Sequence, residues 1–191
     1  MELYTDTYYI KRVQSGDTEC FACLIDKYSR PIHSLVFRIV GNREDTEELT
    51  QDIFMKVYRN LDSFKGESSF STWIYRIAYN TAISETRKKK YELLPFDDAV
   101  IDNITENDVA NAFGHVDKTE QIETLEKALG DLSPDERALI LLFYMKDKSI
   151  DEISDITGLS VSNVKTKLHR IRKKLYILMT KKERKIRYGS K

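Results

Sequence analysis

Apolar positions along the 191-residue chain recur mainly at helical spacing. Phe21, Leu24, Ile25 and Tyr28 share one face and predict a helix over about residues 18–28, after Gly16-Asp17 closes an earlier one. Pro31 is expected to open a new helix, because proline is tolerated in a first turn. That helix carries Ile32, Leu35, Val36, Ile39 and Val40, and Gly41-Asn42 stops it. A third helix over about 43–61 has the stripe Leu49, Ile53, Phe54, Val57, Tyr58 and Leu61. Its opposite face shows Glu47, Glu48, Gln51, Asp52 and Met55, and its acidic start suits the helix dipole. A fourth begins near residues 69–72 and runs into the basic stretch ETRKKK.

The period fades from about Tyr91 to Lys118, where Asp and Asn accumulate and no Lys or Arg precedes Lys118. This reads as a linker with room for a short helical piece. Helical spacing returns from Thr119 to about Met179. With three prolines and seven glycines in the whole chain, long helices are favoured over strands and turns. The expected fold class is all-α: a helical bundle over 1–90, an acidic linker over 91–118, a second helical domain over 119–182 and a frayed basic tail over 183–191.

The second domain carries the more specific pattern. In LSPDERALILLFY, Ser133, Pro134 and Glu136 form a capping box with proline at the first helical position. In KSIDEISDITGLSVSNVKTKLHRIRKKL, Ser149 and Glu152 repeat the box before a short helix with Ile150, Ile153 and Ile156 inward. Gly158 supplies a turn needing positive φ, and Ser160 caps the next helix. There Val161, Val164, Leu168, Ile171 and Leu175 recur at helical spacing. Short helix, glycine turn and amphipathic helix make a helix-turn-helix, whose second helix enters the major groove. The outward residues Ser162, Lys165, Thr166, His169 and Lys173, flanked by Asn163 and Arg170, have the donors and acceptors to read base edges and grip phosphates. Arg172, Lys173 and Lys174 extend the cationic stripe. A helical hairpin with a wet basic face fits the same spacing.

Charge sharpens the choice. The net charge is zero, yet residues 1–90 carry +1, residues 91–130 carry −8 and residues 131–191 carry +7. Between Asn163 and Lys191 there are 12 cations against one anion, the footprint of a nucleic-acid binder. The longest apolar run, Ala138 to Met145, is too short to span a bilayer, and the N-terminus lacks a signal-peptide pattern, so no stable membrane insertion and a cytoplasmic location are expected. Cys20 and Cys23 form one CxxC with no second ligand pair, which favours packing over zinc. No catalytic, cofactor or metal motif is present, so no enzyme activity, cofactor or metal is expected.

Together the motifs carry a resemblance. GDTECFACLIDKY, DTEELTQDIFMKVYRNLDSFKGESSFSTWIYRIAYNTA and LSPDERALILLFYMKDKSIDEISDITGLSVSNVKTKLHRIRKKL, in that order, resemble an extracytoplasmic-function (ECF) sigma factor, a small bacterial RNA polymerase sigma subunit. The resemblance covers nearly the whole chain. It implies that residues 1–90 bind core polymerase and help melt the promoter, and that residues 119–182 read the upstream promoter element. It places Glu48, Gln51 and Asp52 on the surface that docks on a coiled coil of the largest polymerase subunit. It assigns Phe64, Lys65, Gly66, Glu67, Ser68 and Ser69, with Arg76 and Asn80, to capture of a flipped base of the downstream element. Arg87, Lys88, Lys89 and Lys90 would touch duplex backbone, and the acidic linker would thread a basic channel of the polymerase. Core polymerase, promoter DNA and an anti-sigma protein are the implied partners.

The stretch from Asp62 to Asn80 holds five aromatics, two cations and a Gly/Ser loop, which suits a pocket for an unstacked base. Phe70, Trp73 and Ile77 are expected in the core. The chain departs from the family pattern at Ser84, where many members carry Asp. Trp73 is its only tryptophan, and the positions expected for a melting wedge read Arg76 and Ile77. Weak melting and reliance on a well-matched promoter would follow. The remaining alternative is a stand-alone helix-turn-helix regulator with an N-terminal sensor or dimerisation domain.

Overall fold

The computed structural model describes residues 4–88, 98–105, 107–109 and 118–188, with the side chains of 98, 118–122 and 181–188 left out. Among the described residues there are helices and no strand, as the periodicity indicates. The chain divides into two compact units, residues 1–90 with 151–159 and residues 91–150 with 160–191.

In the first unit, α1 (Asp6–Gln14) precedes a short 3-10 turn (Thr18–Cys20), α2 (Phe21–Val40), α3 (Arg43–Asn60), a second 3-10 turn (Leu61–Ser63) and α4 (Phe70–Lys88). Gly16 and Gly41 take positive φ and stop α1 and α2. Asn42 then caps α3, its side chain accepting the Asp45 amide at 3.0 Å. The core is the stripe of each helix. Ile32, Leu35, Val36 and Ile39 of α2, Ile53 and Val57 of α3, and Ile74, Ala78 and Ala82 of α4 are fully enclosed.

Pro31 corrects the expected break. It lies inside α2, which runs unbroken through it. The stripe Leu24, Tyr28, Ile32, Leu35 and Ile39 keeps one phase across the proline, so burying it outweighs one missing hydrogen bond. Pro31→Ala restores an amide facing the Lys27 carbonyl. It is expected to stabilise this unit by about 1–3 kcal/mol, read as a higher denaturation midpoint. A lower midpoint would mean that ring packing matters more than the missing bond. Tyr58 also departs from its expected place: it is 40% exposed and leans edge-on against Phe21 at 5.1 Å.

Cys20 and Cys23 are free thiols, half-buried beside α1 rather than in the core. Cys20 donates to the Asp17 carboxylate at 3.3 Å, and the same carboxylate pairs with Arg12. Burial, then Asp17, pushes the Cys20 thiol pKa up, which keeps it protonated.

The second unit includes α5 (Asp98–Asp102), α6 (Lys118–Gly130), α7 (Pro134–Met145) and α9 (Val161–Tyr188); α8 (Ile150–Thr157) belongs to the first. Ile101 of α5 is fully buried, so the acidic stretch read as a linker holds a packed helical piece. The capping box is formed: Ser133 Oγ accepts the Glu136 amide at 3.3 Å and Glu136 Oε2 accepts the Ser133 amide at 3.2 Å. Arg137 donates to the carbonyls of Leu129, Gly130 and Leu132 at 2.8, 2.7 and 3.0 Å, satisfying the exposed end of α6. Helix α9 continues through Tyr188, past the point where fraying was expected. Its last turns are mostly Lys, Arg and Glu, which are good helix formers.

Candidate nucleic-acid and polymerase interface

Helix α3 presents Glu48, Gln51 and Asp52 at i, i+3 and i+4, all exposed. Met55, one turn on, is 49% exposed and adds an apolar knob to this acidic face. Fully buried Thr46 stands on the same helix, its hydroxyl donating to the Asn42 carbonyl.

The loop from Phe64 to Ser69 joins α3 and α4, with Gly66 at φ 75° making its bend. Lys65, Gly66, Glu67 and Ser69 are exposed, and Phe64 and Ser68 half-buried. Ser69 caps α4: its Oγ accepts the Thr72 amide at 3.0 Å. Phe64 packs against two rings of α4, 5.7 Å from Phe70 edge-on and 5.2 Å from a tilted Trp73, which lie 5.8 Å from each other, so the three rings form one cluster. Phe70 is buried as expected, but Trp73 and Ile77 remain half-exposed. Both line an open cleft, so they are not enclosed by the bundle.

Two clefts border this aromatic cluster. One, of about 430 Å³, has the loop as one wall and α1 as the other. The second, of about 340 Å³, is lined by Trp73, Ile77 and Asn80 of α4 with Lys56, Asn60 and Ser63. The structure therefore does not bring the loop and Asn80 into one pocket. Arg76 lines neither cleft and is exposed. Asn80 and Ser84 also border a third hollow of about 280 Å³, shared with Asp52 and Lys56. Lys56 Nζ donates to Thr81 Oγ1 at 3.1 Å, tying α3 to α4 there.

Sequence reasoning missed Lys56 and Asn60. Their signal was available, since they are one turn and two turns beyond Asp52 on a helix already assigned a polar face. It also missed the wall supplied by α1, which Gln14 helps to hold, its Nε2 donating to the Leu61 carbonyl, 47 residues away. Burial pushes the Tyr75 phenol up to about 12, so it stays neutral beneath the clefts. Arg87 and Lys88 are exposed at the end of α4, where Lys88 pairs with Glu85 at 2.8 Å. Lys89 and Lys90 lie outside the described residues.

In the C-terminal motif, Gly158 takes φ 74° and ends α8, its amide donating to the Ser154 carbonyl at 2.8 Å. Ser160 caps α9, its Oγ accepting the Asn163 amide at 3.3 Å. Val164, Leu168, Ile171 and Leu175 are buried. Ser162, Asn163, Lys165 and Thr166 are exposed on the first turns, and His169, Arg170, Arg172 and Lys173 are half-buried. Thr166 spends its hydroxyl proton on the Ser162 carbonyl at 3.0 Å.

Lys174 turns away from the expected stripe. Its ammonium pairs with Glu136 at 2.5 Å, with both side chains about four-fifths buried. Burial by itself would raise the Glu136 pKa. The Lys174 charge and the Ser133 donors outweigh it and hold the carboxyl below its usual range.

Among the described residues no cluster of ligating side chains suits a metal, and no helix is long and apolar enough to cross a membrane. An exposed acidic helix face, aromatic-walled clefts and a cationic helix after a glycine turn suit a helical DNA-binding protein of the transcription apparatus. The Sigma-70 region 2 family matches residues 24–91, and the Sigma-70 region 4 family matches residues 122–175. The chain is 34% identical over 178 residues to the ECF RNA polymerase sigma factor SigW of Bacillus subtilis, covering 87% of this chain and 92% of that one. It is 31% identical over 182 residues to the ECF RNA polymerase sigma-E factor of Escherichia coli, covering 90% and 92%. Its fold is similar to that of CnrH solved with the cytosolic domain of CnrY, with a TM-score of 0.68, 21% identity and coverage of 92% and 97%. The chain belongs to the ECF sigma factors of RNA polymerase. Nothing in these relatives supports a stand-alone regulator.

Proposed function

We propose that the work of this sigma factor is divided along the chain. Residues 1–90 bind core polymerase and the melted downstream element, and residues 119–182 read the upstream element as duplex. The exposed triplet Glu48, Gln51 and Asp52 supplies the polymerase-docking face, matching an acidic surface to a basic coiled coil. The loop from Phe64 to Ser69 captures a flipped base, and Asn80 contacts the same strand from a separate cleft. A cluster of three aromatic rings bordered by polar clefts carries this reading, because stacking surface beside edge-reading groups offsets the cost of unstacking. Arg76, Arg87 and Lys88 serve the phosphate backbone, with Lys89 and Lys90 continuing the run.

Ser162, Asn163, Lys165, Thr166, His169 and Arg170 face the major groove, and Arg172 and Lys173 grip phosphates. Lys174 is committed to Glu136 and leaves that set. The protein performs no chemistry of its own; bond formation belongs to the polymerase. The structural relative CnrH was solved with CnrY, and RpoE of Bartonella quintana with the anti-sigma factor NepR. An anti-sigma partner fits this chain too.

Asn163→Ala and Lys165→Ala test the upstream assignment in holoenzyme binding to promoter duplex. Asn163→Ala is expected to cost about 1–3 kcal/mol on the preferred sequence and to relax selectivity at one base pair. Lys165→Ala is expected to weaken all sequences alike and lower the salt slope by about one. Loss of affinity with neither signature would contradict groove placement.

A further inference from the structure

Helix α9 changes character one turn past its cationic stripe. Up to Leu175 its buried side chains, Val164, Leu168, Ile171 and Leu175, form a single stripe, which leaves the groove face open. Beyond it Ile177, Leu178 and Met179 are all buried. Consecutive helical positions point about 100° apart, so three in a row need cover over more than half of the helix circumference. Ile177 stands at i+4 from Lys173 and i+7 from Arg170, so it continues the face proposed for DNA.

Helices α5, α6 and α7 all contact α9, and α5 is the one that comes from the acidic stretch. Five residues are too few for a helix to persist in water by itself, so α5 owes its form to what it packs on. Its Ile101 is fully buried, whereas Asp102 is exposed. The chain turns helical again just after it. Asp108 Oδ2 accepts the Thr105 amide at 2.9 Å, Thr105 Oγ1 accepts the Asp108 amide at 3.2 Å, and Val109 is buried. The acidic stretch is thus seated on the cationic helix through apolar side chains, with carboxylates left outside.

We propose that α5 is a releasable clasp, which in the free chain buries Ile101 against the end of the groove face of α9 and places acidic chain at the end of the phosphate-gripping stripe. Duplex and linker then compete for one helix. Uptake of the acidic linker by the polymerase draws α5 off, so full upstream binding is reached only in holoenzyme. The contact is small, one short helix held by few apolar side chains, and it can open without unfolding the unit. The clasp goes beyond the division of work above, but it rests on α9 as the helix that reads duplex.

The test follows binding of the full-length protein to a promoter duplex carrying the upstream element, free and in holoenzyme, at two salt concentrations. A clasp closed about ten to one lowers the apparent affinity of the free chain about tenfold. Ile101→Ala removes most of the buried side chain. It should raise the free-chain affinity about tenfold and leave the holoenzyme affinity unchanged. Asp102→Asn keeps the helix and removes an exposed charge; it should raise free-chain affinity about twofold at low salt, with the gain fading at high salt. Unchanged free-chain affinity in Ile101→Ala overturns the clasp. So does a loss of affinity in both states, which would make α5 a strut for α9. Lys165→Ala is the reference. If it weakens duplex binding while Ile101→Ala changes nothing, the clasp falls and the duplex reading stands; if it has no effect in either state, the duplex reading falls and takes the clasp with it. Amide exchange should quicken at residues 99–104 of Ile101→Ala while α6 and α7 keep their protection. Should they lose it, Asp102→Asn decides, and no gain at low salt overturns the clasp.

Discussion

Reversing Glu48 and Asp52 to Lys together is expected to weaken binding to core polymerase by about 100-fold. The two carboxylates are exposed on one face of α3, a turn apart, and Gln51 lies between them. Against a basic coiled coil each reversal turns an attraction into a repulsion, worth about 1–1.5 kcal/mol for charges screened at the rim of an interface. Two reversals sum to about 2–3 kcal/mol, or roughly two decades in Kd. The association rate should fall most and the loss should shrink as salt rises, since steering is long-ranged. Fold is not at stake: neither residue is buried, and the stripe Leu49, Ile53 and Val57 faces the other way. A titration of labelled sigma with core at two salt concentrations reads both quantities. Unchanged affinity would remove this face from the interface.

Glu136→Ala is expected to destabilise the C-terminal unit by about 3 kcal/mol. Glu136 is both the closing residue of the Ser133 capping box and the partner of Lys174. Loss of the box accounts for about 1 kcal/mol. Leaving the ammonium of Lys174 four-fifths buried without a counter-ion adds about 2 kcal/mol, below the full cost for a completely enclosed pair. In a unit of this size the transition should move down by about 10 °C or more.

Acid should reproduce part of the effect. The folded pKa of Glu136 lies below its ordinary 4.5. Its contribution is therefore fully present above about pH 4.5 and is lost as pH falls through the lower folded value. Glu136→Ala should remove that portion of the acid sensitivity. A variant with wild-type melting and wild-type acid dependence would show that the pair adds nothing net. Sigma bearing this change should also lose upstream-element binding, though Glu136 is not placed at DNA.

Several elements were legible because one local rule governs each. The Ser133 box, the positive φ at Gly158, the Ser160 cap and the inward set Val164, Leu168 and Ile171 all stand where pattern puts them. Pro31 was misread because its local cost is about 3 kcal/mol or more, whereas the buried stripe of a twenty-residue helix stabilises the continuous helix by more. Lys174 was misread because a one-signed run reads as a solvated stripe; its partner lies 38 residues earlier and no helical period reveals it. Trp73 and Ile77 were assigned to the core on hydrophobicity alone. Their exposure follows from cleft shape, which depends on where Asn60 and Ser63 sit across from α4. The presence of two clefts was equally hidden, since the α1 wall of one is brought to the Phe64–Ser69 loop by long-range contacts, among them the Gln14 hydrogen bond to the Leu61 carbonyl.

The account turns on the claim that this chain opens promoters only as a polymerase subunit. Single-round run-off transcription with permanganate footprinting of the melted region, on promoter DNA selected by the holoenzyme, measures this directly. Unpaired thymines and a defined transcript are expected when the protein and core polymerase are both present, and neither signal with one of them alone. Tight sequence-specific binding by the isolated protein, with no start site specified when core is added, would contradict it.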